Sequence, residues 1–370
     1  MVSGEQEGLT PFAYHQAGTS NGPARLPLTA DRSRCLVIQT AFLGDVVLTT
    51  PLLSVLAARH GPVDVVTTPA AAGLLEGHPA VRSVIRYDKR GCDRGWRGLR
   101  RMGRELRGRS YSRVYLPHRS LRSAALALWS GAPERVGFAD APGAISYTSR
   151  VTRPATGHEV ERLLALARSV PEEQAAVSLP LTDEDLARID EWLASKGVGA
   201  RFAAMAPGSI WGTKRWPYYP ELAARLDRII VVVGGADDVT LAETIAAAAP
   251  DRVVNAAGAL SLRESAALIQ RASVLVTNDS APLHLATAVG TPIVALFGPT
   301  VPEFGFGPRR AGDVTLGHAG LSCRPCSSHG PPRCPLGHHR CMRDLSVDAV
   351  LEAIANIVSA EESGAICPRN

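Results

Sequence analysis

The sequence predicts an α/β fold of two Rossmann-like domains whose parallel sheets face each other across a cleft. Short apolar runs rich in Val, Ile and Leu alternate with longer helical patterns, as in parallel sheets covered by helices. The alternation occurs in two successive series, and a stretch of mostly Pro, Glu and small residues at 169–182 separates them. The 370 residues are enough for two domains of ordinary size.

The apolar runs give the predicted strands in chain order. In the first series these are 35–39, 63–67, 84–87, 113–116 and a weaker one near Val136. In the second series they are 202–206, 229–233, 253–255, 274–277 and 293–297. Helical patterns lie between them; Ser261 and Glu264, for example, have the spacing of a capping box. A final amphipathic helix is predicted over 346–360, with Val347, Val350, Leu351, Ile354 and Ile357 on one face.

These elements divide the chain into four parts. Residues 1–33 lack periodicity and are predicted to be a disordered extension. The N-terminal domain is expected over 34–175 and the C-terminal domain over 176–345. The last helix and a tail occupy 346–370.

Composition narrows the class of protein. No apolar run approaches the ~18 residues of a membrane span, and the N-terminal stretch does not have a signal-peptide pattern. Seven cysteines in such a chain indicate a reducing, cytosolic location. Positive charge is concentrated in residues 89–122, where twelve Lys or Arg accompany two acidic residues. That segment carries +10 while the whole chain carries +5, so the remainder carries −5.

The first polar motif, 42–51, follows the first predicted strand, where parallel sheets bind ligands. It is not G-x-G-x-x-G, which disfavours a nicotinamide or flavin site. Gly44 is expected to make a tight turn. Asp45 has two interpretations: a helix N-cap, or a general base that takes a proton from an acceptor hydroxyl. Spacing alone favours the cap.

The second motif, 206–217, also follows a strand. Gly208 and Gly212 are expected to let the backbone approach a ligand. Ser209 and Thr213 supply hydroxyls, and Lys214 supplies charge that suits a phosphate. The motif is not a Walker A sequence, so nucleotide hydrolysis is not indicated.

Two further motifs follow strands of the second series. Asp237, in 233–238, is interpreted as a ribose ligand or as a cap of the next helix. In 277–300 an apolar strand ends at Asp279 and Ser280, and a helix is predicted from Ala281. The N-terminus of that helix offers free N–H groups to an anion, although an ordinary capped αβ unit would have the same pattern.

Four segments together resemble glycosyltransferase family 9, in particular its ADP-heptose:lipopolysaccharide heptosyltransferases of the second-heptose type. They are LGDVVLTTP, PGSIWGTKRWP, TNDSAPLHLATAVGTPIVALFGPT and CRPC…CPLGHHRCM. The resemblance covers roughly residues 34–360. It implies the GT-B fold, a donor site in the C-terminal domain, an acceptor site facing the N-terminal domain, and inverting transfer that needs no metal.

The resemblance also implies roles for single residues. Asp45 is in the family's Gly-Asp position and would be the catalytic base, so this interpretation replaces the cap. Lys214 and Thr213 would contact the donor diphosphate, with Ser209 in the same loop. Asp237 is our choice for the ribose contact.

The resemblance extends to the 277–300 motif. Asp279 would hold the sugar-phosphate end of the donor beside the N–H groups of Ser280 and Ala281. Many family members have Gly where this chain has Ala281. The alanine restricts the backbone of this chain to fewer conformations than a glycine would. Without a divalent ion, Lys214 and a helix N-terminus are the natural groups to stabilise a departing nucleoside diphosphate.

The basic segment has three interpretations: a solvated helix face, a nucleic-acid contact, or a contact with an anionic membrane and a phosphorylated, carboxylate-bearing lipid acceptor. No recognised nucleic-acid module accompanies it, so we favour the last. Arg119 and Arg122 are the predicted acceptor contacts. The expected location is cytoplasmic and peripheral on the inner membrane face.

The cysteines Cys323, Cys326, Cys334 and Cys341 lie within nineteen residues. They could bind a structural zinc, form disulfides, or stay reduced; their spacing is not that of paired zinc knuckles.

The leading hypothesis is therefore an inverting, metal-independent transfer of heptose from ADP-heptose to the lipopolysaccharide inner core. One alternative is a family 9 transferase with another sugar donor or acceptor. A different class is a zinc-dependent nucleic-acid-binding protein that uses the basic segment and the cysteines.

Overall fold

The computed structural model describes residues 34–168 and 176–363. The predicted N-terminal extension and the first part of the predicted join lie outside the described residues. Within them the chain forms two six-stranded parallel sheets, each covered by helices. The predicted α/β fold of two Rossmann-like halves is confirmed.

The first sheet has the strand order β3-β2-β1-β4-β5-β6. Its strands are β1 Cys35–Ile38, β2 Val63–Thr67, β3 Val81–Arg86, β4 Arg113–Leu116, β5 Glu134–Phe138 and β6 Ser149–Val151. Its helices are α1 Leu43–Leu48, α2 Thr50–His60, α3 Pro69–Ala72, α4 Gly95–Gly108, α5 Leu121–Trp129 and α6 Glu159–Leu164. The strand order reverses beside β1, so the loops after β1 and β4 open the crevice in which such sheets bind ligands.

The second sheet has the order β12-β11-β10-β7-β8-β9. Its strands are β7 Phe202–Ala206, β8 Ile229–Val232, β9 Val253–Asn255, β10 Val274–Asn278, β11 Ile293–Phe297 and β12 Val314–Gly317. The helices of this half are α7 Asp183–Ser195, α8 Tyr219–Arg225, α9 Val239–Ala248, α10 Leu262–Arg271, α11 Ala281–Val289, α12 Arg340–Arg343 and α13 Val347–Glu362. Its reversal lies at β7 and β10, which precede the second and fourth sequence motifs.

Two edge strands, β6 and β12, were not predicted. Neither has the buried, continuously apolar sequence of the central strands; β6 reads SRV and β12 reads VTLG, and both are partly exposed. The predicted C-terminal helix is confirmed as α13. Its apolar face packs on the second sheet, with Val350 and Ile354 fully buried. Among the described residues, no helix is long and apolar enough to cross a membrane.

The two halves meet directly at the cleft. From α6, the amide of Glu159 donates to the carbonyl of Gly305 at 2.8 Å. Nearby, the Arg162 guanidinium donates to the carbonyl of Phe304 at 2.6 Å. These contacts hold the end of the first half against a loop of the second, and α1 packs against α11 beside them.

Candidate active site

A cleft of about 970 Å³ lies between the two sheets and is lined by both halves of the chain. It collects eight of the residues predicted from the motifs: Asp45, Arg119, Ser209, Lys214, Asp237, Asp279, Ser280 and Ala281. The predicted meeting of the strand ends at one cleft is therefore observed.

Asp45 lies in the third position of α1, with its partly exposed carboxyl group in the cleft. Its Oδ2 accepts a hydrogen bond from the amide of Phe42 at 3.2 Å, so Phe42, not Asp45, is the N-cap residue. Burial is the main cause that raises the pKa of Asp45 from 3.8 to about 6, and the nearby charge of Glu159 adds to it. A carboxylate with this pKa is a stronger base than an ordinary aspartate but is still mostly ionised at pH 7.

The reason for glycine at position 44 is different from the predicted turn. Gly44 lies inside α1, and a Cβ atom built there would lie 2.4 Å from Cδ2 of His284. The glycine therefore lets the His284 ring of α11 pack directly on the helix that carries Asp45. His284 is buried, which lowers its pKa to about 4, and its Nδ1 has no hydrogen-bond partner among the described residues. Sequence reasoning missed this histidine; the only signal was a His inside an apolar helix.

Lys214 and Asp279 form an ion pair in the donor half of the cleft. Lys214 Nζ lies 2.6 Å from Asp279 Oδ2, and both side chains are buried. The hydroxyl of Thr300 donates to the same oxygen at 2.6 Å. The Asp279 carboxylate thus fixes the position of the Lys214 ammonium group, which lines the cleft.

The N-terminus of α11 lies beside this pair. Ser280 is its N-cap residue, and Ala281 begins the helix. The hydroxyl of Ser280 is buried and has no partner among the described residues. Free N–H groups, a helix dipole and an unsatisfied hydroxyl next to an ammonium group form a site suited to an anion.

Thr213 and Arg122 are not brought to the main cleft. The hydroxyl of Thr213 donates to the carbonyl of Pro331, so it holds the 331 loop in place. Arg122 lines a separate small pocket beside Lys89, and its guanidinium donates to the Lys89 carbonyl at 3.2 Å. Arg119 does line the cleft and pairs with Asp140 at 2.5 Å.

Asp237 and Asp238 follow β8, and the sequence left open whether Asp237 is a ribose ligand or a cap of the next helix. Asp238 Oδ2 accepts the amide of Gly235 at 3.0 Å, which makes it the local cap. Asp237 is exposed at the cleft and is available to a ligand. Ser209 also lines the cleft; its Oγ accepts a hydrogen bond from the amide of Trp211 at 3.2 Å and keeps its own proton free to donate.

A buried charge cluster in the cleft wall was also missed. Glu159 pairs with Arg153 and, at 3.5 Å, with Arg162; all three line the cleft. Burial raises the pKa of Glu159. The i, i+3 spacing of Glu159 and Arg162 is that of an ordinary surface ion pair of a helix, so the sequence contains no signal that distinguishes this buried cluster.

The four cysteines of the 323–341 loop are free thiols. The Cys323 Sγ atom lies 4.0 Å from Nε2 of His338, and Cys334 Sγ accepts the amide of His339 at 3.4 Å. Across residues 34–168 and 176–363, no three His, Cys, Asp or Glu side chains converge as metal ligands. The interpretation of these cysteines as a structural zinc site stays a prediction.

Comparisons with known proteins agree with this architecture. The model of glycosyltransferase family 9 (heptosyltransferase) matches residues 99–333, more than half of the chain. Lipopolysaccharide heptosyltransferase 2 of Salmonella typhimurium is 28% identical over 89% of this chain and 99% of its own. Lipopolysaccharide heptosyltransferase 1 of Pseudomonas aeruginosa is 32% identical over 79% of this chain and 86% of its own. The crystal structure of a family 9 glycosyltransferase from Veillonella parvula has a TM-score of 0.78 at 25% identity, over 89% and 98% of the two chains. The chain belongs to glycosyltransferase family 9.

Proposed function

We propose that the protein transfers heptose from ADP-heptose to the lipopolysaccharide inner core, with inversion at the anomeric carbon and without a metal ion. The observation that carries this proposal is the arrangement of one cleft. A base of raised pKa stands on one side, and a fixed ammonium group beside a helix N-terminus stands on the other. The relatives named lipopolysaccharide heptosyltransferases support the choice of sugar and acceptor.

On the acceptor side, Asp45 would take the proton of the attacking hydroxyl. The acceptor oxygen forms a bond to the anomeric carbon as the bond from that carbon to the diphosphate oxygen breaks. The proton moves to Asp45, and ADP leaves with the bonding electron pair. Attack opposite the leaving group inverts the anomeric centre.

On the donor side, Lys214 and the N–H groups at the start of α11 would stabilise the charge that develops on the diphosphate. Asp279 acts mainly by holding Lys214, and the Ser280 hydroxyl and Ala281 amide complete the anion site. These groups provide the charge stabilisation that other enzymes obtain from a divalent ion.

The remaining predicted residues have supporting roles in this proposal. Asp237 would bind the ribose, and Ser209 would donate to the donor from the loop after β7. Thr213 would act indirectly, by holding the 331 loop. On the acceptor side, Arg119 and Arg122 would bind anionic groups of the core, at the cleft and in the adjoining pocket. The enzyme would be cytoplasmic and would bind the inner membrane peripherally.

The test is transfer from ADP-heptose to a heptose-deficient lipopolysaccharide acceptor, with and without EDTA. We expect equal product in both conditions and loss of product for Asp45→Ala. Asp313→Asn is the matched control, because burial also raises the pKa of Asp313 to about 6 but its carboxylate lies outside the cleft. Transfer that persists in Asp45→Ala would remove the proposed mechanism. Transfer only from another sugar nucleotide would keep the family and remove the proposed donor.

A further inference from the structure

The segment 323–341 carries four cysteines and three histidines, and the proposed function gives none of them a role. We call it the cysteine segment. It contacts two loops of the second half, residues 207–214 after β7 and residues 298–301 after β11. The first loop ends at Lys214, and the second contains Thr300, whose hydroxyl donates to the Asp279 carboxylate. The cysteine segment therefore contacts the supports of both members of the buried ion pair.

On the Lys214 side, the contacts hold the residue that precedes the lysine. The hydroxyl of Thr213 donates to the carbonyl of Pro331. Nε2 of His339 donates to the carbonyl of Thr213 at 2.8 Å, so Thr213 is bound at both its side chain and its main chain. The amide of His339 in turn donates to Cys334 Sγ at 3.4 Å. These hydrogen bonds fix the short turn that carries Lys214.

Two glycines let the cysteine segment pack closely on these loops. A Cβ atom built on Gly212 would lie 2.5 Å from the carbonyl oxygen of Pro332, so this glycine accommodates the protein's own chain. Gly330 has a φ of 79°, and a Cβ atom built there would lie 3.2 Å from Oγ1 of Thr213 and 2.9 Å from Cγ of Pro299. The cysteine segment is thus wedged between the two loops at Gly330.

On the other side, the contacts hold the loop after β11. Nη2 of Arg324 donates to the carbonyls of Phe297 and Thr300, at 3.0 and 2.9 Å. The amide of Cys326 donates to the carbonyl of Pro299 at 2.9 Å. Phe297, Pro299 and Thr300 are buried, and a buried carbonyl group without a donor is costly. The cysteine segment thus supplies donors to three carbonyl groups of this loop.

A shared support matters because the ion pair joins separate parts of the chain. Lys214 and Asp279 are 65 residues apart, and the 2.6 Å contact between Nζ and Oδ2 requires the two loops to keep a fixed separation. Groups that stabilise developing charge must be held to within a fraction of an ångström, and an error of about 1 Å can cost up to about 100-fold in rate. An element that binds both loops can supply this precision.

We propose that Arg324 and His339 are positioning residues of the anion site. They hold the two loops so that the Lys214 ammonium group and the Asp279 carboxylate keep the arrangement that receives a diphosphate. Neither side chain lines the cleft, so both act through the loops and not by contact with the ligand. Only the identity of the anion, a nucleoside diphosphate, rests on the proposed function.

The test is titration calorimetry of ADP and of inorganic pyrophosphate, at a temperature where circular dichroism shows each protein to be folded. Arg324→Ala should weaken the binding of both ligands about tenfold. His339→Asn should do the same, because Asn tolerates the left-handed backbone of this position (φ 50°) but is too short to reach the Thr213 carbonyl. Arg324→Lys should recover part of the affinity, since an ammonium group lacks the fork that serves two carbonyls.

Arg333→Ala is the matched control. It removes the same charge from an exposed position of the same segment, and it should bind both ligands as the wild type does. A double-mutant cycle then tests the route of the effect. If Arg324 acts through the ion pair, Arg324→Ala should cause little further loss of affinity in a Lys214→Met protein.

Four results would overturn the proposal. Wild-type affinities in Arg324→Ala and His339→Asn, with a lower Tm, would show that the cysteine segment only stabilises the fold. An equal loss in Arg333→Ala would show that net charge is responsible, and full additivity with Lys214→Met would show that Arg324 acts independently of the ion pair. A wild-type protein that binds neither ligand would remove the anion site itself.

One further result separates this proposal from the proposed function. A wild-type protein that binds pyrophosphate but not ADP would remove the proposed donor. A tenfold loss of pyrophosphate affinity in both variants would still support the positioning role.

Discussion

Replacing Asp45 by Asn should abolish transfer and, at the same time, stabilise the protein above pH 6. The folded protein raises the pKa of Asp45 from 3.8 to about 6, chiefly by burial. Because the folded state binds this proton more tightly than the unfolded state, stability falls as the pH rises from about 4 to 6 and stays lower above that range. An Asn side chain carries no charge and can still accept a hydrogen bond from the Phe42 amide. The Asp45→Asn protein therefore does not lose stability as the pH rises through this range.

The magnitude follows from the pKa difference. Each pKa unit corresponds to ~1.4 kcal/mol, so ionisation of Asp45 costs the fold up to about 3 kcal/mol above pH 6. The carboxyl group is partly exposed to the cleft, and we therefore expect a gain of about 1 to 3 kcal/mol for Asp45→Asn at pH 8. The gain should be small near pH 4, where Asp45 is protonated in the folded state and about half protonated in the unfolded state.

Thermal unfolding of the two proteins at pH 4 and pH 8 measures this difference. A stabilisation of 1 kcal/mol raises the Tm of a domain of this size by roughly 2–4 °C, which is well resolved. The kcat/KM of the wild-type protein should rise with pH through an apparent pKa of about 6, since the base must be ionised. An Asp45→Asn protein that is no more stable at pH 8 than the wild type would refute the burial argument, even if it were inactive.

Three further predictions concern the rest of the cleft. Lys214→Met should leave the Asp279 carboxylate buried without its cation and lower the free energy of unfolding by about 3 kcal/mol, whereas Lys214→Met/Asp279→Asn should recover most of that loss; urea unfolding measures the coupling. Gly44→Ala should reduce transfer at least tenfold because its Cβ would overlap the His284 ring. Gly44→Ala/His284→Ala should recover part of the activity. An inactive double variant with normal stability would contradict the steric explanation. Asp237→Ala should raise the KM for the donor and leave kcat nearly unchanged, and a loss in kcat alone would exclude a ribose contact.

The sequence predicted the fold well where apolar pattern and burial coincide. Strands such as 202–206 and 293–297 are continuously apolar and wholly buried, so their pattern was unambiguous. The edge strands β6 and β12 are short and half exposed, and their pairing depends on a neighbour that local sequence does not contain.

The site was predictable to the extent that its residues follow strands. The sequence motifs that follow two strands identified Lys214 and Asp279 separately. The 2.6 Å contact between Lys214 Nζ and Asp279 Oδ2 joins positions 65 residues apart, and it depends on tertiary packing. The requirement for glycine at position 44 likewise comes from a helix of the other half. The sequence pattern identified Gly44, but it could not identify His284, the neighbour that requires a glycine at this position.

The contact between Gly44 and His284 has a thermodynamic consequence for the cleft. Burial is the main cause of the raised pKa of Asp45, and the ring of His284, which belongs to the opposite half, covers the same helix. If the halves separated, water would reach the carboxyl group and its pKa would fall toward 3.8. Asp45 therefore has a raised pKa only while the halves are together, and, by linkage, a proton bound to Asp45 favours the closed arrangement. If Asp45 is the base of the proposed mechanism, release of that proton after transfer would favour opening and would couple the chemistry of one turnover to the exit of its products.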